Sequence, residues 1–136
     1  MEFHIIGKGK LGRSLAALCA QNNLDCHLWG REDQYHLNGV VYICVPESQI
    51  ALVAQKIEIG PIVLHSSGSL GLEVLPPHHQ IGCLHPVQSF VDPDIALPND
   101  PIPTTFQGKI EILEHIRPLI DACNFTIFPY AGSRLS

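Results

Sequence analysis

The segment Gly7-Lys8-Gly9-Lys10-Leu11-Gly12 has the spacing G-x-G-x-x-G. Each glycine has a physical use if the ligand is a diphosphate. Gly7 permits a tight turn. Gly9 lets the main chain approach the anion, because a β-carbon there would collide with it. Gly12 lets a helix pack close to a strand. The N–H groups at a helix start, around Lys10 and Leu11, would face the anion with the helix dipole behind them. An ordinary glycine-rich turn between strand and helix has the same composition, so the flanking elements must decide between the two.

About eighteen residues past Gly12, sites that prefer NAD(H) place an acid that grips the ribose hydroxyls. Gly30 stands there instead, followed by Arg31. A guanidinium at that point can pair with a 2′-phosphate in a forked geometry. The expected cofactor is NADP(H) in preference to NAD(H). A solvated loop arginine is the alternative, and Glu32 and Asp33 lie close enough in sequence to neutralise it.

Three further segments carry polar groups: Val45-Pro46-Glu47-Ser48, His65-Ser66-Ser67-Gly68 and His85-Pro86-Val87-Gln88-Ser89-Phe90. Each follows an apolar run. In open α/β sheets, ligands bind outside the carboxyl ends of the strands. Imidazole takes and gives protons near neutral pH, which makes His85 a candidate to accompany a hydride transfer. A histidine that fixes a loop is the alternative for His85, and His65 is read as structural.

These residues need a scaffold, and the pattern supplies one. Phe3 to Ile6 reads as a buried strand, Lys10 to Asn22 as a helix with Leu11, Leu15, Leu18 and Cys19 on one face, and Cys26 to Trp29 as a second strand. The stretch from Arg31 to Gly39 is too short for a helix and another strand. Val40 to Val45 reads as a central parallel strand. A helix capped by Ser48 is expected to carry Ile50, Val53, Ala54 and Ile57. Strands follow at Ile62 to Leu64 and Ile81 to Leu84, with a short helix between them over Ser69 to Leu75. The prolines of Val91 to Pro103 suggest an extended loop. Thr104 to Phe106 is a strand candidate. Lys109 to Ala122 reads as a helix with a kink at Pro118, and Phe125 to Phe128 as the last strand. Strands alternating with helices predict a doubly wound α/β domain, three layers deep, on a mostly parallel sheet. Trp29 and the other aromatic residues are expected in its core.

Composition narrows the rest. The 136 residues suit one domain, and they carry 46% apolar and only 15% charged residues. So little charge suggests that a partner, a second copy of the chain in a homodimer, or a further domain covers some surface. The formal net charge of −5 and the lack of a basic tract argue against nucleic acid and against an anionic membrane surface. No apolar run approaches the length of a bilayer span. Five cysteines with no C-x-x-C pair, and no secretory pattern at the start, suggest a reducing, cytoplasmic setting. A metal site at His78, His79, Cys83 and His85 does not match structural zinc spacing. Ser67 lacks the G-x-S-x-G elbow of serine hydrolases. A glycine turn also serves S-adenosylmethionine methyltransferases, but those normally grip the ribose with a carboxylate, which Gly30 is not.

The glycine turn, Val45-Pro46-Glu47, His65-Ser66-Ser67-Gly68 and His85-Pro86-Val87-Gln88-Ser89-Phe90 occur in an order that resembles the Rossmann-like proteins of the 6-phosphogluconate dehydrogenase superfamily. The chain is most similar to a group of uncharacterised NADP-dependent oxidoreductases there. Pyrroline-5-carboxylate reductases and prephenate dehydrogenases are similar at lower specificity. The resemblance implies that Gly7, Gly9, Lys10, Leu11, Gly12 and Arg31 hold the cofactor. It implies that Val45 and Pro46 border the nicotinamide ribose, that Ser66, Ser67 and Gly68 lie near the nicotinamide or substrate, and that His85 serves the chemistry on a small carbonyl or imine substrate. Relatives of this kind continue into a helical domain that closes the site. Against that pattern, the segment after the second strand is trimmed, and residues 1–136 correspond to the nucleotide-binding domain alone. A non-catalytic dinucleotide-binding or interaction module is the alternative reading.

Overall fold

The computed structural model describes residues 1–77, 79–87, 90 and 100–127, and the main chain of 134–135. Its strands are β1 (Phe3–Ile6), β2 (Cys26–Trp29), β3 (Val40–Ile43), β4 (Ile62–His65), β5 (Gln80–Pro86), β6 (Ile102–Gly108), β7 (Phe125–Ile127) and β8 (Arg134–Leu135). The helices are α1 (Lys10–Gln21), α2 (Ile50–Gln55), α3 (Ile110–His115) and α4 (Arg117–Ala122). The strands form one sheet in the order β2-β1-β3-β4-β5-β6-β7, with β8 beside β6. Every neighbouring pair is parallel except β5 and β6.

The sheet is buried on both faces, as near-continuous apolar strands require. Alternate side chains divide between two cores. Ile5, Tyr42, Leu64 and Leu84 pack against α1, α3 and α4 through Leu15, Leu18, Ile112 and Leu119. Ile6, Val41, Ile43 and Val63 pack on the other face against Ile50, Ala54, Ile57 and Leu75. The result is the expected three-layer, Rossmann-type, mostly parallel α/β architecture.

Several elements depart from the expected bounds. Ser48 makes no side-chain cap. It lies in a 3-10 turn, Glu47–Gln49, and α2 ends at Gln55, so Ile57 lies outside it. Ser69 to Leu75 holds only a 3-10 turn at Leu72–Val74. The loop expected up to Pro103 ends earlier, because Ile102 and Pro103 open β6; residues 91–99 lie outside the described residues. Lys109 to Ala122 is two helices, with Pro118 in the first turn of the second, where its missing N–H is harmless. Strand β3 stops at Ile43, whereas β5 runs from Gln80 to Pro86. Trp29 is half-buried at the sheet's edge, where its Nε1–H donates to His4 Nδ1 at 3.0 Å.

The trimmed segment has a simple form. Between β2 and β3 the chain makes a single bridge, Tyr35 with Ile57, and buries the Tyr35 ring in the second core. Helix α1 is docked at its far end. Asn22 Nδ2 donates to Leu18 O at 3.0 Å and to Ala122 O at 2.9 Å, and Cys19 Sγ lies 3.7 Å from Cys123 Sγ. That anchorage fixes where the other end of α1 points. No helix among the described residues is long and apolar enough to cross a membrane.

Candidate functional site

The strand order reverses between β1 and β3, since one leads outward to β2 and the other to β4. Connections leave in opposite directions there, which opens a crevice at the carboxyl ends. The glycine turn sits in it. Gly7 has φ +131°, a conformation that L side chains rarely adopt, and a β-carbon on it would lie 2.5 Å from the Cys44 carbonyl oxygen. Its N–H donates to Trp29 O at 2.9 Å, and Cys44 N–H donates to Ile6 O at 2.8 Å. The turn is thereby tied to both neighbouring strands. A β-carbon on Gly12 would overlap the Gly7 carbonyl oxygen, so helix and turn touch at that point.

Gly9 is different. A β-carbon there would meet nothing within 4 Å. Gly9 is also the N-cap of α1, which has no side-chain cap and no acidic residue in its first turn. The N–H groups at the start of Lys10–Gln21 thus have no capping side chain and no first-turn carboxylate competing for them. Gly7 makes the expected turn and Gly12 the expected helix contact, while the small size of Gly9 is used by no protein atom within 4 Å.

Three adjoining clefts run along this edge. The first, about 700 Å³, is lined by Gly7, Lys8, Gly30, Arg31, Tyr35, Val45, Pro46, Gln49, Leu52 and Lys56 among others. The second, about 560 Å³, is lined by Val45, Glu47, Ser66, Ser67, Gly68, Ser69, His85 and Val87. The third, about 240 Å³, lies among Lys10, Leu11, Ser66, His85, Pro86 and Phe90. Val45 belongs to the first two, and Ser66 and His85 to the last two. Ten of the twelve expected site residues line these clefts; Gly9 and Gly12 line none of them and lie in the turn and helix start between them in sequence. Gln88 and Ser89 lie outside the described residues.

The two histidines are held in different ways. His65 is fully buried. Its Nδ1 accepts the Ser67 N–H at 3.1 Å, which leaves Nε2 to donate to Gly71 O at 2.9 Å. Burial holds its pKa below the ordinary histidine value, against the opposing effect of the Gly71 carbonyl. It is a neutral brace for the serine loop, as the sequence suggested. His85 is half-buried. Its Nδ1 lies 2.9 Å from Ser66 O, an acceptor, so Nδ1 carries the proton. In the neutral ring Nε2 then holds a lone pair. The ring lies over Gly68, where a β-carbon would stand 2.5 Å from Nε2 and Cδ2.

The serine loop is braced from two sides. Ser69 N–H donates to Ser67 Oγ at 3.3 Å, and Ser69 Oγ donates to the Glu47 carboxylate. Cys83 Sγ donates to Ser67 O at 3.1 Å, and burial pushes that thiol up to about 12, so it acts as a small apolar group with one hydrogen bond. Among the described residues no group of histidine, cysteine and carboxylate side chains is arranged to hold a metal ion.

Two cations in the large cleft escaped the sequence reading. Lys8 occupies a variable position of the glycine motif, and Lys56 follows α2 in a segment with no motif. Only the absence of a side chain at Gly30 hinted that something else fills that place.

No family model and no curated protein matches the chain. Solved structures do. A protein of Bacteroides fragilis assigned as an NADP oxidoreductase superposes with a TM-score of 0.74 at 13% identity, over 96% of this chain and 61% of that one. Prephenate dehydrogenase from A. aeolicus, in complex with hydroxyphenyl propionate and NAD+, gives 0.73 at 11% identity, over 97% and 60%. A semialdehyde dehydrogenase NAD-binding protein from Cupriavidus necator, in complex with calcium and NAD, gives 0.68 at 15% identity, over 99% and 62%. The chain spans about three fifths of the length of each. At these identities the likeness concerns architecture, and it agrees with the strand order and the glycine turn: the chain has a Rossmann-type α/β fold.

Proposed function

We propose that this chain is the dinucleotide-binding domain of an oxidoreductase that uses NADP(H) and moves a hydride to or from a small carbonyl or imine. One observation carries the reading. Of the three motif glycines, two are pressed against main-chain atoms, and the third, Gly9, opens onto empty space at an uncapped helix start. That space suits a diphosphate, which needs main-chain N–H groups and no side chain in the way. The neighbouring folds named above, solved with NAD or assigned to NADP, support the same cofactor class.

The residues divide the work along the edge. The start of α1 would bind the diphosphate. Leu52 offers an apolar wall for the adenosine half, with Arg31 at its rim, and Val45, where the large cleft meets the serine cleft, would border the nicotinamide ribose together with Pro46. A bound nicotinamide would supply or accept the hydride. His85 holds a proton on Nδ1 against Ser66 and presents Nε2 as the atom that takes or gives one. Ser67 stands in the same cleft, its N–H fixed by His65 and its Oγ bonded to Ser69, so a substrate oxygen or nitrogen would compete with Ser69 for that hydroxyl.

The test uses the single tryptophan. Trp29 is excited while NADPH is added, and energy transfer to the reduced nicotinamide is read. Saturable binding below millimolar concentration is expected. No binding at millimolar NADPH would refute the assignment. Binding without turnover of any imine or keto acid would favour a binding module over an enzyme.

A further inference from the structure

Resting on that reading of the cleft, we infer that Lys8 takes the place of the ribose-gripping acid, and that Lys8, Arg31 and Lys56 form a three-cation clasp for a 2′-phosphate. The end of β2 is where a NAD-type site puts its carboxylate. Here the position is Gly30, and the Lys8 stem crosses it. A β-carbon on Gly30 would stand 3.4 Å from Lys8 Cδ and Cε and 3.7 Å from Nζ. A cation therefore lies where the other cofactor type needs an anion.

The other two cations are set by Tyr35. Its hydroxyl donates to Gly30 O at 2.6 Å and accepts from Glu32 N–H at 3.2 Å, which spans Arg31 on both sides. Its own main chain pairs with the segment after α2: Tyr35 N–H donates to Lys56 O at 2.8 Å, and Glu58 N–H donates to Tyr35 O at 3.0 Å. One buried residue thus holds the Arg31 loop and the Lys56 segment against the same cleft. Lys8, Arg31 and Lys56 all line it, and among the described residues no carboxylate does. The trimmed segment is what makes this possible. With no helix between β2 and β3, the chain returns close under the cleft and brings the second lysine to it.

Dissociation constants for NADPH and NADH are measured by the Trp29 transfer signal in the wild type, Lys8→Gln, Lys56→Gln and Gly30→Asp. The wild type is expected to prefer NADPH by at least about tenfold, on the strength of charge-assisted contacts to the phosphate. Each lysine variant should lose roughly tenfold for NADPH and stay within about twofold for NADH. Gly30→Asp, whose β-carbon has the flexible Lys8 stem as its nearest neighbour, should pair with Lys8 and move the preference toward NADH. Equal weakening of both cofactors in the lysine variants, or no change in their ratio, overturns the clasp and leaves the dinucleotide site standing. A wild type that binds neither cofactor sinks the dinucleotide site itself.

Discussion

Replacing Gly9 and Gly12 separately by alanine divides the glycine motif into a part that serves the ligand and a part that serves the fold. At Gly9 the backbone is extended, φ −81° and ψ −168°, a region open to any residue, and the new methyl would meet nothing within 4 Å. Alanine is a poorer N-cap than glycine, by something under about 1 kcal/mol. It also restricts the unfolded chain, which returns roughly 0.4–1 kcal/mol. The two terms offset, and Gly9→Ala should melt within about 3–5 °C of the wild type for a domain of this length. Gly12→Ala has no such freedom. Its β-carbon would overlap the Gly7 carbonyl oxygen and stand 2.9 Å from the carbonyl carbon, and main chain cannot swing aside as a side chain can. Overpacking of this kind costs about 1–3 kcal/mol or more. For binding, the order reverses in cause. The Gly9 methyl would occupy the space proposed for the diphosphate and separate it from the first N–H groups of α1. Losing one charge-assisted hydrogen bond, about 1.5–3 kcal/mol, weakens NADPH by roughly 10- to 150-fold. Thermal melts and Trp29 energy-transfer titrations on the same preparations measure both. A Gly9→Ala protein that melts normally and binds NADPH as tightly as the wild type would show that no diphosphate sits at the start of α1.

Other expectations follow from single contacts. His65 is neutral and buried, with a folded pKa below its ordinary value, so the unfolded chain binds its proton more tightly. Its contribution to stability is intact above about pH 6.5 and is lost as pH falls below that, by at most about 1.4 kcal/mol per pH unit; urea midpoints between pH 7.5 and 5 should show the fall, and His65→Gln should flatten it. Gly68→Ala should push the His85 ring off Ser66, since its β-carbon would stand 2.5 Å from Nε2. Imidazole nitrogen spectra would then lose the Nδ1–H tautomer, whereas an unchanged signature would show that the ring has room to slide. Tyr35→Phe removes the hydroxyl that joins Gly30 O and Glu32 N–H, and should cost about 1 kcal/mol in a melt while lowering NADPH affinity several-fold.

How much of this was written in the sequence depends on whether the cause was local. Strand β1 and the start of α1 fall where the apolar run and the glycines place them, because strand pairing and the close Gly7–Gly12 approach leave no alternative. The serine and histidine segments reach one edge because parallel strands all end there. Ser48 failed as a cap for a reason of main-chain geometry. Gln49 N–H bonds to Pro46 O at 2.8 Å, which starts a tight 3-10 turn one residue earlier. Ile57 left its helix because its main chain is needed to pair with Tyr35, a contact between segments that no periodicity reveals. Pro103 hid the start of β6. It lies before the stretch of β6 that pairs with β5, which begins at Thr104, and its carbonyl still accepts the Val87 N–H at 2.7 Å. Lys8 was unreadable for the same kind of reason: its place over Gly30 is set by the spacing of β1 and β2 in the sheet, not by distance along the chain.

Net charge argues against nucleic acid and an anionic membrane surface, and the structure shows why it does not argue against a small anionic ligand. A formal charge of −5 describes the whole chain. Exposed charges farther apart than about 10 Å are largely screened at 0.1 M salt, so a ligand at one edge feels mainly the groups beside it. Of the eight lysines and arginines, three line the large cleft, and Lys10 lines the third cleft beside His85. Glu32 and Asp33, which could have cancelled Arg31, are exposed and do not line the cleft; Glu47 lies with the serines at its far end. Among the described residues, Glu47 is the one carboxylate that lines any of the three clefts. Three cations thus line the large cleft, and the serine and histidine clefts hold one cation, Lys10, and one carboxylate, Glu47, among the described residues. On the proposed reading, that asymmetry would give a dinucleotide one favoured direction along the edge before any specific contact is made.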